Sequence, residues 1–236
     1  MISLERLLAR NLPCSRKEAR RLLDRTHEDL PREFSVDALP RRISVGGHSV
    51  ELHDSFHLML NKPAGCVTAL ADQIHDTAAT CVRGAPLFPE LRPVGRLDLD
   101  TTGLLLWTTD GTWLHRLTHP RTAIKRTYHA ALERPFGPLP AELILRDGHR
   151  PSILDLRPLQ ASETHPSLLK PASANIFATI TVTGGAYHEI RRIFAALGSH
   201  VSSLCRVSFG ALALPSDLAL GQWRPVTRTS VDSRCV

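Results

Sequence analysis

Apolar positions along this chain change their period, and each change predicts a different element. Leu4, Leu7 and Leu8 recur at helical spacing, as do Ala19, Leu22 and Leu23, which predicts two short amphipathic helices near the N-terminus. Ser15 followed three residues later by Glu18 forms a capping box and places the start of the second helix at Ser15. On that helix Arg16 and Arg20 fall in one row and Lys17 and Arg21 in the next, so a basic face lies opposite the leucines. The stretch ISVGGHSVEL, Ile43 to Leu52, reads as two short strands around the turn at Gly46 and Gly47. Between helices and hairpin, the segment from His27 to Arg42 is an inserted loop or an extra turn.

Beyond residue 55 strand-like runs dominate, at His57 to Leu60, Leu104 to Thr108, Thr127 to Leu132 and Phe177 to Val182. Helical and proline-rich segments separate them, which predicts an α+β unit with a largely antiparallel sheet. The run Leu104 to Trp107 reads as a buried strand fed by a turn at Thr101, Thr102 and Gly103. Ile190, Ile193, Phe194 and Leu197 share one face of a helix that Gly198 stops, leaving Arg191 on the opposite side in the row of Tyr187. The chain therefore divides into a small arginine-dense unit, residues 1–55, and a larger mixed unit, residues 56–236.

Composition adds a partner. The 236 residues suffice for a sizeable core. Net charge is +6, and only four of the 29 basic residues are lysines. Arginine's planar fork suits phosphates and base edges, so the skew points to RNA, or else to codon usage alone. Five scattered cysteines (Cys14, Cys66, Cys81, Cys205 and Cys235), without a CxxC pair or a Cys/His cluster at zinc spacing, predict a reducing cytoplasm and no structural metal. Glu5, Arg6 and Arg10 interrupt the apolar core a signal peptide needs, and no apolar run is long enough to span a bilayer. A soluble cytoplasmic monomer away from membranes is the expectation. No Rossmann glycine pattern or P-loop is present, and no cofactor is expected.

The candidate chemistry centres on VGRLDLDTTGLLLWTT, where Asp98 sits between an arginine and a long apolar run. Its carboxylate either bonds its own backbone in a turn or is held for a reaction. The tetrapeptide Gly95, Arg96, Leu97, Asp98 resembles motif II of the pseudouridine synthases, and the DxDTTGLLL surroundings are most similar to the RsuA-like branch, which acts on ribosomal RNA. That resemblance makes Asp98 the catalytic aspartate, with Arg96 beside it in substrate binding. LNKPAGCVT resembles motif I; its Asn61 and Lys62 either meet an RNA phosphate or form a packing turn. KRTYHAAL resembles the family's Lys-x-Tyr strand, with Tyr128 at the tyrosine position and Arg126 where the family has lysine. A tyrosine on a strand is otherwise a packing residue. GGAYHEIRRIFAALGSHVSSL resembles motif III, usually HQVRRMF, with Glu189 at the glutamine position. The resemblance implies that Arg191 pairs with Asp98 and that Leu204 lines the base pocket; apart from it, paired arginines suit a solvated helix face. SRKEARRLL followed by ISVGGHSV is similar to an S4 RNA-binding domain, which would put Arg16, Lys17, Arg20 and Arg21 on RNA, although a solvated surface has the same pattern.

The resemblance implies a bent mixed sheet with a central cleft and isomerisation of a specific uridine in ribosomal RNA, most similar to the small-subunit (16S) enzymes, on free RNA or an assembly intermediate. In that reaction the base leaves C1′ through nitrogen and returns through C5, for which a carboxylate is a suitable nucleophile, with an arginine to keep it ionised. Large-subunit (23S) RNA is the alternative target, and a noncatalytic ribosome-assembly factor the alternative class. A glycoside hydrolase would need two carboxylates flanking its bond, and Asp100, on the same side of an extended segment as Asp98, is the only nearby second acid.

Overall fold

The computed structural model describes residues 1–26, 29–172 and 174–232. Two helices, α1 (Leu4–Asn11) and α2 (Arg16–Asp24), open the chain. The Ser15 hydroxyl accepts from the Glu18 N–H while the Glu18 carboxylate accepts from the Ser15 N–H, so the capping box is formed. The helices' apolar stripes, Leu4, Leu7, Leu8 and Ala19, pack with Val45 and Leu52 of the antiparallel hairpin β1 (Arg41–Val45) and β2 (His48–Leu52). Between helices and hairpin, Glu33–Phe34 pairs with Ile2–Ser3, and a 3-10 turn spans Val36–Ala38. His27 and Glu28, part of the segment left open above, lie outside the described residues, as does Cys235.

Arg10, in the last turn of α1, ties these elements to the rest of the chain. Its Nη1 donates to Asp54 at 2.9 Å and its Nη2 to Glu90 at 2.8 Å, and the two carboxylates hold the guanidinium pKa above its usual value.

The remainder is built on a nine-stranded sheet. Its long members are β3 (His57–Lys62), β4 (Thr101–Thr108), β5 (Arg126–Leu132), β6 (Ile153–Leu159), β7 (Ile176–Val182) and β8 (Val201–Phe209), with the shorter β9 (Trp223–Pro225). They lie in the order β6-β7-β5-β8-β4-β3-β9, with Arg92–Pro93 beside β4 and Leu212–Ala213 beside β8. Every neighbouring pair is antiparallel except β8 with β4, and the fold is α+β. The eight residues of β4 are all buried because the strand is covered on both faces. Leu105 and Trp107 enter one apolar cluster, with α4 (Glu189–Ala196) packed over it through Ile190, Ile193 and Phe194. Leu104 and Leu106 enter the other, together with Trp113 and Leu117 of α3 (Gly111–Thr118). Alternation within an unbroken apolar run is thus the period of two expected of a central strand.

Two expectations need correction. Thr101, Thr102 and Gly103 are not a turn but the first residues of β4, paired in parallel with Leu204, Cys205 and Arg206 of β8. Gly103 has φ +104°, and a Cβ there would overlap the backbone of Arg206. The glycine serves a close approach of two strands rather than a reversal of the chain. Tyr187 does not share a helical row with Arg191, because α4 begins at Glu189; His188, its N-terminal flanking residue, is left-handed at φ +49° and breaks the helical path.

No helix among the described residues is long and apolar enough to cross a membrane.

Candidate active site

The loop from Val94 to Asp100 delivers Asp98 to the place where β4 meets β8, the one parallel seam in the sheet. Lys62, at the end of β3, holds that loop from beneath. Its side chain has 0% exposure, and its Nζ donates to the carbonyls of Pro63 (2.9 Å), Asp98 (3.1 Å) and Thr101 (2.9 Å). Burial lowers the ammonium pKa, while nearby Asp98 and Asp100 are among the groups opposing the shift. Asn61 is equally enclosed, donating to Ser167 Oγ and Leu218 O. A phosphate contact by Asn61 or Lys62 is therefore corrected: both side chains face inward and are committed to the chain's own oxygens.

Above this support lies a cavity of about 520 Å³. Tyr128 on β5 stands opposite Arg206 on β8, and Leu204, two residues before Arg206, shares its face, so all three line one wall. Tyr128 and Leu204 are buried. On the other side Asp98, with its side chain 35% exposed, faces the start of α4, where His188 Nε2 is 3.6 Å from Asp98 Oδ1 and Arg191 Nε is 4.0 Å from Asp98 Oδ2. Arg191 makes its shorter contact elsewhere: Nη2 donates to Asp100 at 2.8 Å, and Nη1 donates to Val201 O at 3.0 Å. The expected Arg191–Asp98 pair thus takes the form of one arginine spanning two acids. Asp98 and Asp100 both approach Arg191, but across a turn at Leu99 and Asp100, in which Thr101 N–H donates to Asp98 O, rather than along the extended segment expected.

Four arginines, Arg96, Arg126, Arg191 and Arg206, are among the residues that line the cavity. Arg96 is exposed at its edge. Arg126 donates through Nη1 to the carbonyls of Ile124, Thr183 and Gly184, and burial lowers its pKa. The guanidiniums of Arg126 and Arg206 lie 5.2 and 5.3 Å from the Phe209 ring centroid, so two partly or fully buried cations share one aromatic neighbour. Arg206 donates through Nε to Leu104 O. Glu189 is only 4% exposed and bonds His149 Nε2 at 2.7 Å; its backbone starts α4 and its carboxylate lies against Gly184. Replacing an amide with an acid at this position is matched here by a histidine partner.

Of the sequence candidates, Asp98, Arg96, Tyr128, Arg126, Arg191 and Leu204 come together at the cavity. Arg16, Lys17, Arg20 and Arg21 are exposed on α2 outside it, with Arg20 bonded to Glu5 at 3.0 Å. His188, Arg206 and His149 were not singled out from the sequence. Arg206 follows from strand alternation, since it sits two residues beyond Leu204; His188 stands at the first position of the HQVRRMF-like motif, but its approach to Asp98 depends on a left-handed backbone that residue type alone does not announce. Among the described residues no group of histidine, cysteine, aspartate or glutamate side chains is arranged to hold a metal ion.

Comparison with known proteins places these residues in context. Residues 56–196 match the family described as RNA pseudouridylate synthase. Over the whole chain, the ribosomal small subunit pseudouridine synthase A of Escherichia coli (strain K12) is 34% identical, with 98% of each chain covered. The enzyme of the same name from Vibrio cholerae is also 34% identical at 98% coverage of both. A crystal structure of a pseudouridylate synthase superposes with a TM-score of 0.57 at 26% identity, covering 98% of this chain and 99% of the other.

Proposed function

The chain belongs to the RNA pseudouridylate synthase family, and from that premise we propose that it isomerises a specific uridine of small-subunit ribosomal RNA to pseudouridine, with Asp98 as nucleophile. The observation that carries this reading is the placement of Asp98 in a cavity whose opposite wall presents Tyr128 and Leu204. Its volume lies within the roughly 300–1,000 Å³ typical of small-molecule sites. Identity with small-subunit enzymes over nearly the full chain supports the small-subunit target rather than the large-subunit one.

The uridine must leave its stack to reach this cavity, at a cost of about a few kcal/mol that backbone contacts offset. Leu204 and the ring of Tyr128 form an apolar slot for the extruded base. The Asp98 carboxylate adds to the sugar or the pyrimidine ring, and the C1′–N1 bond breaks. The base turns over, a C1′–C5 bond forms, and the bond to the Asp98 carboxylate breaks, returning its electron pair to the carboxylate. The proton on C5 is then lost while N1 gains one, so atoms and electrons balance without an external reagent. The Tyr128 hydroxyl is the candidate relay for the departing proton. Arg191 and His188 hold the carboxylate toward the cavity, and the surrounding arginines attract the anionic strand.

The exposed basic face of α2, within an S4-like unit of residues 1–55, serves as an RNA anchor separate from the cavity, the partner unit being residues 56–236. The four described cysteines, all free, support a cytoplasmic setting, and the chain's own enclosed site suits a monomer meeting 16S RNA either free or in an assembly intermediate. The test is Asp98→Asn, nearly isosteric but a poor nucleophile. Turnover, read as loss of label from C5 of uridine in small-subunit RNA, is expected to vanish while RNA binding persists; retained turnover would remove Asp98 from the mechanism.

A further inference from the structure

The chain has two tyrosines, in opposite circumstances: Tyr128 lines the cavity, and Tyr187 lies in the chain between two of its lining residues, Ala186 and His188. Tyr128 is buried in its wall, whereas Tyr187 is 79% exposed on the loop leading into α4. The Tyr187 ring is stacked on His188, with centroids 3.9 Å apart and an interplanar angle of 16°. His188 lines the cavity and reaches Asp98. The sequence of groups running outward is therefore carboxylate, imidazole, phenol, solvent.

An aromatic ring this exposed loses favourable burial, and its position is held by specific contacts. The left-handed backbone of His188 turns both rings out of the helical path. Arg192 donates to the carbonyl of Tyr187 at 3.1 Å and pairs with Asp147, fixing the loop from below. Left-handed non-glycine residues persist where the surroundings over-determine them, often at functional sites. One face of the phenol is covered by the imidazole. The other is open to solvent, on a loop that leads into the helix carrying Arg191 and Arg192. A flat π-surface beside cations matches a nucleobase on a phosphate strand.

We propose that Tyr187, backed by His188, is a stacking platform for the base of a nucleotide adjacent to the target uridine, replacing the stacking partner that this adjacent base loses when the uridine flips. This rests on the RNA-modifying reading above and specifies how that site grips its substrate. Stacking of a base on an aromatic side chain is worth about 1–3 kcal/mol, so Tyr187→Ala should raise the KM for RNA by about 5- to 150-fold, with a smaller fall in kcat. Tyr187→Phe and Tyr187→Trp should restore KM.

The decisive experiment couples protein and RNA changes. The substrate is the small-subunit RNA fragment in which the wild-type protein forms pseudouridine, remade with an abasic site at each position flanking the target in turn. At one flank the abasic site should penalise wild-type protein but add little to Tyr187→Ala; equal penalties for both proteins at every flank would overturn the platform while leaving the isomerase standing. If wild-type protein turns over no ribosomal RNA, the isomerase reading falls instead. The platform is then read from quenching of 2-aminopurine in a single-stranded oligoribonucleotide. Quenching by wild type and by Tyr187→Phe but not by Tyr187→Ala upholds it, and equal quenching by all three overturns it.

Discussion

Arg191 gives its 2.8 Å hydrogen bond to Asp100 and stands 4.0 Å from Asp98, so the second acid of the DxD segment anchors the arginine while the first remains directed at the cavity. This division of labour predicts unequal costs. Arg191→Met should lower turnover by about 100-fold, because Asp100 loses a charged donor and Asp98 its neighbouring positive charge. Arg191→Lys should retain measurable activity, since charge persists without the fork. Asp100→Ala should cost less than about tenfold, because the freed guanidinium can close on Asp98. If Asp100→Ala is as damaging as Arg191→Met in a purified assay, the arginine acts through Asp100 rather than on Asp98.

Lys62 supports the loop that bears Asp98. Lys62→Met removes a buried donor and leaves at least three carbonyls unsatisfied, for an expected destabilisation of about 3 kcal/mol. Thermal unfolding should show the loss, and turnover should fall more than RNA binding. An unchanged melting temperature would mean that water replaces the ammonium.

Acid sensitivity should come partly from His57, which is buried, and His129, which is partly so. Burial lowers the pKa of both His57 and His129 to about 4, from an ordinary value of 6.5. Between these values the unfolded chain binds more protons than the folded one, so their contribution to stability is complete above pH 6.5 and is lost as pH falls toward 4. Calorimetry across this window should give a falling Tm, with a shallower slope for His57→Gln. Identical slopes would exclude His57 as a contributor.

The basic face of α2 predicts a salt effect separable from catalysis. Changing Arg16, Lys17, Arg20 and Arg21 to glutamine should weaken RNA binding and flatten the slope of log affinity against log salt by about 3, since each lost phosphate contact removes counterion release. Arg20 contributes least, being shared with Glu5. An unchanged slope would leave α2 as a plain solvated surface.

Much of the architecture was legible because local rules suffice for it. Ser15 and Glu18 announce a helix start, Gly46 and Gly47 a hairpin, and the apolar run at Leu104 a central strand. What escaped depends on distant partners. β8 reads VSSLCRVSF, and its serines, cysteine and arginine mask a strand that is buried between β5 and β4. Gly103 looks like a turn residue until Arg206 is brought against it. Lys62 looks like a phosphate ligand because spacing does not reveal that its side chain folds back onto the loop bearing Asp98. The motifs located the aspartate, tyrosine and arginine; the direction in which Arg191 spends its hydrogen bonds needed coordinates.

The seam between β4 and β8 has a consequence for the order of events during synthesis. Thr101 and Leu204, cross-strand partners in it, are separated by about a hundred positions along the chain. Pairs closer in sequence, such as β3 with β4, join sooner, but the loop bearing Asp98 lacks the part of the wall carried by Leu204 and Arg206 until residues 201–209 have emerged and slid into parallel register beside Gly103. A growing polypeptide therefore carries Asp98 long before it carries the wall formed by Leu204 and Arg206. Chains ending before Val201 are expected to be inert toward RNA, and activity should switch on abruptly, as the last central strand is inserted, rather than accumulate with length.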